Sequence, residues 1–293
     1  MISAYSFIQI IIATVAFAIL APIVGCLLAG LDRKLSARMQ GRVGPPLLQP
    51  YYDVRKLIGK DDVTVSGVDG VYMTCALVFT VFAGGIFFAG DNLLMSAFVI
   101  TMAALFFIMA AYSSRSPYAE IGAGRETIQV MSYEPMVLLM AVCFFMTTST
   151  FMVRSVFISD LPVICFTVPA FIGFLFILTI KLRKSPFDIS MSHHAHQEIV
   201  RGMTTEMSGK TLAKVEIMHW CETVLFLGWT AMFFIWSNPI SIVLAIVVVL
   251  AIWFLEILID NNFARVKWQA MLKWSWVVAL ICGGINIVFL AII

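Results

Sequence analysis

The sequence predicts an all-α integral membrane protein of about eight transmembrane helices, with both termini on the non-cytoplasmic side and amphipathic helices in long cytoplasmic loops. Three observations carry that reading. Of 293 residues, 61% are apolar and only 12% are charged, where a soluble domain carries roughly 25% charged residues. The mean hydropathy is +0.98, and a helix crosses the hydrocarbon core in about 20 residues, so there is chain enough for eight crossings and their connections. The basic residues, finally, sort to one side.

The first apolar run begins at Ile2 and continues to Gly30, with no basic residue before Arg33. It lacks the charged start of a cleavable signal peptide and is too long for its apolar region, so it reads as a retained first span. Further apolar stretches lie near 71–90, 92–112, 135–153, 161–182, 217–236, 239–259 and 274–293. Pro135, Pro162 and Pro239 fall near the starts of three of them, where a missing N–H costs little. On that reading Glu134 stands at a helix N-terminus, where the helix dipole favours an anion.

Short connections (Asp91-Asn92, Arg154–Asp160, Ser237-Asn238) alternate with long ones near 31–70, 113–134, 183–216 and 260–273. Of the 19 Lys and Arg residues, all but Arg154 belong to the long connections or their edges. The positive-inside rule makes that face cytoplasmic. Residues 1–293 read as a single polytopic membrane domain. In the first loop Leu47, Tyr51, Val54 and Ile58 recur at helical spacing, which predicts an amphipathic helix lying at the interface or under a partner.

Six cysteines, Cys26, Cys75, Cys143, Cys165, Cys221 and Cys282, sit in or beside apolar runs and form no C-x-x-C pair. They read as small packing residues, and nothing in the chain frames an iron–sulfur cluster. The run His193-His194-Ala195-His196 places three imidazoles where they cannot all face one ion from a regular helix. It reads as a loop surface gripping a partner rather than a metal site. The absence of a Walker sequence excludes nucleotide hydrolysis, and there is no nucleophile elbow or zincin helix. No metal, cofactor or catalytic residue is assigned to the chain, and nucleic acid is not an expected partner.

Carboxylates at bilayer depth are expensive and rarely incidental. Glu216, His219 and Glu222 follow at i, i+3 and i+6 on neighbouring parts of one helix surface, and Glu256 and Asp260 stand four apart near the end of the seventh span. With Glu134 they read as a proton or ion path. The plain alternative is interhelical hydrogen bonding plus ordinary interface charge. Lys181, Arg183 and Lys184 read as snorkelling anchors of the fifth span.

Read together, the cytoplasmic loops resemble a family. Leu31-Asp32-Arg33-Lys34-Leu35-Ser36-Ala37-Arg38-Met39-Gln40-Gly41-Arg42-Val43-Gly44-Pro45 is similar to the E-R-K-x-x-A-R-x-Q-x-R-x-G-P stretch of the H-type membrane subunit of complex I. Leu48-Gln49 with Asp53, Lys56 and Leu57 matches the L-Q-x-x-x-D-x-x-K-L that follows. Ala110-Ala111-Tyr112-Ser113, Arg125, Gln129 and Ser132-Tyr133-Glu134 resemble its A-A-x-S…R…Q…S-Y-E segment. Pro186-Phe187-Asp188 and Glu198-Ile199-Val200 with Gly202 and Glu206 resemble P-F-D…E-L-V-x-G…E. Where complex I has A-E-T-N-R, this chain has Ile180-Lys181-Leu182-Arg183-Lys184, and the stretch from Asp188 to Glu198 is longer and holds the histidines. Those departures resemble the hydrogenase relatives, above all the B subunit of Ech-type energy-converting nickel–iron hydrogenases.

The resemblance implies a non-catalytic coupling and anchoring subunit in a prokaryotic plasma membrane. It would link ferredoxin-dependent proton reduction, or hydrogen oxidation, in a cytoplasmic module to H⁺ or Na⁺ translocation. Implied partners are hydrogenase large and small subunits, ferredoxin-like subunits and an antiporter-like membrane subunit, with the nickel–iron centre and iron–sulfur clusters in those partners. The implied ion path is Glu134, Glu206, Glu216 and Glu222, with Glu256 and Asp260 added from the residue reading. Arg33, Arg38, Arg42, Asp53, Lys56, Arg125, Asp188, His193, His194, His196 and Glu198 are the expected docking residues. Two alternatives stand beside this reading: a complex I or formate-hydrogenlyase-type subunit, and a stand-alone ion-coupled secondary transporter. The transporter reading would favour an internal repeat, and none is visible.

Overall fold

The computed structural model describes residues 4–63, 67–191 and 199–292; among these there are helices and no strands, with an isolated bridge between Asn92 and Met152. The first span, α1 (Ala4–Met39), is followed by a short helix, α2 (Gln49–Ile58), then α3 (Asp69–Phe88), α4 (Leu93–Ser113) and α5 (Pro117–Thr148). Two 3₁₀ turns lead into α6 (Val168–Lys181), and α7 (Gly209–Met232) and α8 (Ile240–Asn262) follow. The chain ends in a rod made of α9 (Trp268–Val278), a π turn (Ala279–Gly283) and α10 (Gly284–Ile292). Six of these, α1, α3, α4, α5, α8 and the last rod, are long and apolar enough to cross a membrane. The 14-residue α6 and the more polar α7 complete the eight crossings.

Several boundaries differ from the sequence expectation: α1 continues to Met39 and α7 already starts at Gly209, so both take in residues expected in the long connections. Residues 117–134 are not loop: α5 runs unbroken through Pro135 for 32 residues. Its buried positions Ala119, Gly122, Ala123, Glu126, Gln129, Val130, Tyr133, Met136 and Met140 keep helical spacing, but several are polar and hide the stripe from a hydropathy reading. Glu134 is therefore mid-helix, where no N-terminal dipole acts on it. The run 161–182 also divides, because Pro162 opens a 3₁₀ turn and the helix starts only at Val168, with Pro169 in its first turn.

The α2 segment is amphipathic as expected, but in the chain alone only Val54 of the predicted stripe is buried, beside Cys26, Ala213 and Trp220; Leu47, Tyr51 and Ile58 are exposed. Two glycines of α1 set the packing that shapes the cytoplasmic end. A β-carbon on Gly30 would stand 1.9 Å from the Leu47 carbonyl oxygen, and one on Gly25 would stand 2.5 Å from that of Trp220. Only a bare Cα lets α1 approach the α2 loop and α7 so closely. The start of α7 is tied in the same way, with the backbone N–H groups of Lys210 and Thr211 donating to Asp62 Oδ1 at 2.5 and 3.3 Å.

Candidate functional site: a charged cavity and the ionic line beneath it

At the cytoplasmic end α1, α7, α8 and the segment after α6 enclose a cavity of about 530 Å³. Asp32 and Arg33 face it from α1, Arg183, Lys184 and Asp188 from the segment, Glu216 and His219 from α7, and Asp260 from α8. A smaller cleft of about 330 Å³ shares Arg33, Ser36 and Asp260 with it and adds Arg42 and Asn261.

The segment after α6 builds the floor. Gln129 Nε2 donates to the Phe187 carbonyl at 2.7 Å, and Val266 N donates to the Pro186 carbonyl at 3.1 Å, so α5 and the approach to α9 both hold it. Arg183 adopts a left-handed backbone, φ +53°, a conformation that costs a non-glycine residue about 1–3 kcal/mol. Its side chain offsets that cost through several contacts. Nη2 donates to Glu126 Oε1 at 3.1 Å, Nη1 lies 2.6 Å from His219 Nε2, and Nη1 also reaches Met191 Sδ at 2.9 Å. Ser190 Oγ donates to the other oxygen of Glu126, and His219 Nδ1 lies 3.1 Å from Glu222 Oε2. Glu126 and Glu222 are both buried. A connected line therefore runs Glu126, Arg183, His219, Glu222, with the cavity at its side and α7 carrying its far end into the bundle.

Lys181, Arg183 and Lys184 are not snorkelling anchors. Lys181 turns inward, its Nζ 3.5 Å from the Tyr133 ring centroid and 4.9 Å from that of Phe226, an arrangement in which the ring faces attract the cation. It shares a cleft of about 10 Å³ with Glu134, room for about one water. Lys184 donates to Asp32 of α1 and, at 3.3 Å, to Asp260 of α8, while Ser185 N donates to Asp260 at 2.8 Å. Burial opposes the Lys184 ammonium, but Asp32 and Asp260 outweigh it and hold it above the ordinary lysine range. Asp188 lies 3.3 Å from Arg265. Burial pushes its carboxyl up to about 7, against the pull of Arg265 and Arg183. The reason the anchors fail is tertiary: α6 ends among α5, α7 and α8 rather than at lipid, so its basic end finds carboxylates and ring faces.

Of the expected path, Glu216 and Asp260 line the cavity, Glu222 ends the ionic line, and Glu134 stands in the Lys181 cleft. Glu256 is fully buried one turn beyond Asp260, and neither carboxylate oxygen has a hydrogen-bond partner among the described residues. Glu206 is half-buried in the turn before α7 and does not line the cavity. Of the expected docking residues, Arg38, Arg42 and Lys56 are exposed and Arg125 is half-buried. Arg33 pairs with Asp53 at 2.7 Å and ties α1 to α2. His193, His194, His196 and Glu198 lie outside the described residues. No group of three or more His, Cys, Asp or Glu side chains able to hold a metal occurs among the described residues. The sequence reading missed Glu126, which its place in the helical stripe of α5 could have revealed.

The match to known proteins covers nearly the whole chain: residues 10–291 fit the family described as NADH dehydrogenase. The chain belongs to that family. Within the NADH dehydrogenase family, the H-type subunit of an NADH-quinone oxidoreductase from Dehalococcoides mccartyi (strain CBDB1) is 28% identical, over 89% of this chain and 80% of its own length. Hydrogenase-4 component C of Escherichia coli (strain K12) is 26% identical, over 91% of this chain and 92% of its own length. A chain in the structure of an archaeal membrane-bound sulfane sulfur reductase, described as a respiratory membrane complex, shares the fold. That similarity has a TM-score of 0.83 at 24% identity and covers 96% of this chain and 99% of that one. The resemblance read from the loop residues is thus that of the family itself.

Proposed function

We propose that this protein is the membrane-embedded coupling and anchoring subunit of a complex I-like respiratory complex, and specifically of an energy-converting nickel–iron hydrogenase. In that reading ferredoxin-linked proton reduction or hydrogen oxidation takes place in a cytoplasmic module carrying the hydrogenase large and small subunits and ferredoxin-like subunits. The membrane is a prokaryotic plasma membrane, and an antiporter-like subunit beside this chain moves H⁺ or Na⁺. The observation that carries the reading is the ionic line Glu126, Arg183, His219, Glu222, with a separate water-sized cleft holding Lys181 and Glu134. Charges so placed in low dielectric are weakly screened, so a change of charge at the cavity alters proton occupancy deeper in the bundle. The similarity to hydrogenase-4 component C along almost the full length supports the hydrogenase version.

A second reading, a quinone-reducing complex I-type subunit, is favoured by one observation. The cavity is large enough for a ring headgroup, and Trp220 and Trp253 stand in its walls. Its charged floor, where Lys184 bridges two carboxylates, fits an ionic relay better than a neutral ring. An affinity purification in mild detergent, assayed for nickel and for viologen-linked hydrogen evolution, separates the two. Nickel with hydrogenase activity supports the first reading; a quinone-reducing module in its place supports the second. Purification of the chain alone supports the transporter. In the intact complex Glu222→Gln lowers the ratio of ions moved to hydrogen formed, and an unchanged ratio would overturn the ion-path assignment.

A further inference from the structure

We propose that His219 is a proton-accepting latch on Arg183, holding it while the ring nitrogen Nε2 is bare and releasing it when Nε2 takes a proton. The proposal rests on the ion-path reading above and gives that path an entry point.

The hydrogen-bond chemistry of the line allows one state of the ring. An arginine side chain carries donors and no acceptor. Arg183 Nη1 at 2.6 Å therefore requires a lone pair on His219 Nε2. An ionised carboxylate accepts and does not donate. Glu222 Oε2 at 3.1 Å therefore requires the hydrogen on Nδ1. Both neighbours demand the same neutral tautomer. The ring is also held sterically: Phe107 of α4 meets it edge-on with centroids 5.7 Å apart, and the Arg183 guanidinium lies 5.3 Å from that same Phe107 ring.

Every wall but α4, which presents Phe107, brings charge to the neighbourhood of the latch. From α1 come Asp32 and Arg33, from α5 Glu126 with Tyr133 and Glu134 deeper, and from α6 Lys181. The segment after α6 supplies Arg183, Lys184 and Asp188, α7 supplies Glu216 and Glu222, and α8 supplies Asp260. His219 lines the cavity, so whenever Arg183 swings off Nε2, water there can deliver a proton to the freed lone pair. An N–H bond forms at Nε2, the O–H bond of the donor water cation breaks, and the ring becomes an imidazolium. Two donors, each on a cation, would then face one another across the 2.6 Å contact, so Arg183 cannot return and stays released. The imidazolium next gives its Nδ1 proton to Glu222: the N–H bond breaks, an O–H bond forms, and ring and acid are both neutral. The ring now bears its hydrogen on Nε2, so Arg183 stays released until the ring turns over or that proton departs. Protons thus enter from the cavity and leave toward Glu222. Arg183, second residue of the segment that floors the cavity, reports each passage to the cytoplasmic end.

The test is solid-state ¹⁵N NMR on the histidine-labelled complex, with His219 assigned from the signals lost in His219→Gln. In the resting complex, wild-type His219 shows a bare Nε2 and a protonated Nδ1. In Arg183→Met the ratio moves toward the opposite tautomer by roughly tenfold, the weight of one hydrogen bond from a charged donor. A wild-type ring protonated at Nε2, or a ratio unmoved in Arg183→Met, overturns the latch. His219→Gln adds a check that does not depend on losing the contact, because the glutamine oxygen still accepts from Arg183 but takes up no proton. Its ions-to-hydrogen ratio falls about a hundredfold or more, the scale of one lost proton-transfer group, and a wild-type ratio overturns the latch. If Glu222→Gln uncouples while the tautomer is wrong, the latch fails and the path stands. If Glu222→Gln stays fully coupled, the path fails and the latch with it.

Discussion

Lys184 and Asp260, 76 residues apart in the chain, meet at 3.3 Å, and the same ammonium donates to Asp32. One side chain thus fastens the ends of α1 and α8 beside the cavity. Lys184→Met leaves two half-buried carboxylates facing each other without their cation, a defect that costs about 3 kcal/mol. Thermal unfolding in detergent is expected to show a clear drop in Tm, with Lys184→Arg recovering most of it. The folded ammonium lies above its unfolded range, so its contribution is fully present below the unfolded value and is lost only as pH rises through the folded one. The Tm difference between wild type and Lys184→Met is accordingly constant from neutral pH up to about 10.

Asp188 titrates in the opposite sense to a paired surface carboxylate. Its folded value is about 7 and its unfolded value about 4, so between them the folded chain holds a proton that the unfolded chain has lost. Stability from this group therefore falls as pH rises from about 4 to about 7 and is level above. The change amounts to a few kcal/mol, at 1.36 kcal/mol per unit. Unfolding measured across that window in wild type and Asp188→Asn checks it: the variant's slope is shallower, and equal slopes would refute the assignment.

The Arg183–Glu126 pair is buried on both sides, with side-chain exposures of 17% and 7%. Removing the cation alone leaves Glu126 with the Ser190 hydroxyl, and removing the carboxylate alone leaves the cation with His219 and Met191. A double-mutant cycle with Arg183→Met and Glu126→Gln is expected to give a coupling of about 2 kcal/mol in unfolding free energy. A value near zero would mean that the two act independently.

Gly30→Ala tests the clasp between α1 and the α2 loop. The added methyl would come 1.9 Å from the Leu47 carbonyl oxygen, backbone that cannot rotate away, so α2 must shift. A cost of about 1–3 kcal/mol follows for such overpacking. Exposure of Cys26, which is buried against Val54 of α2, to a membrane-permeant thiol reagent is expected to rise in the same variant.

The sequence was a good guide wherever one kind of residue dominates a long window. The eight crossings follow from hydropathy because burial in lipid demands about 20 apolar residues in a row. Family membership was readable because the motif residues Asp32–Pro45, Ser132-Tyr133-Glu134 and Pro186-Phe187-Asp188 keep their order and spacing. Glu222 and Asp260 drew notice as carboxylates at depth, but their partners did not. Arg183 reaches Glu126 across 57 residues and His219 across 36, and no local pattern encodes such pairings.

By itself the sequence determined the membrane class, the approximate number of spans, the sidedness of the basic loops and the family, since each depends on composition or on residues close together in the chain. The tertiary structure alone decided that Lys181, Arg183 and Lys184 turn inward rather than toward the lipid interface, that Glu134 sits mid-helix, and that Glu126 belongs to the site. For the basic residues and Glu126 the physical reason is the same. A charge at the end of a span is stable either at the lipid–water boundary or against an opposite charge, and which of these it meets depends on the helices packed around it.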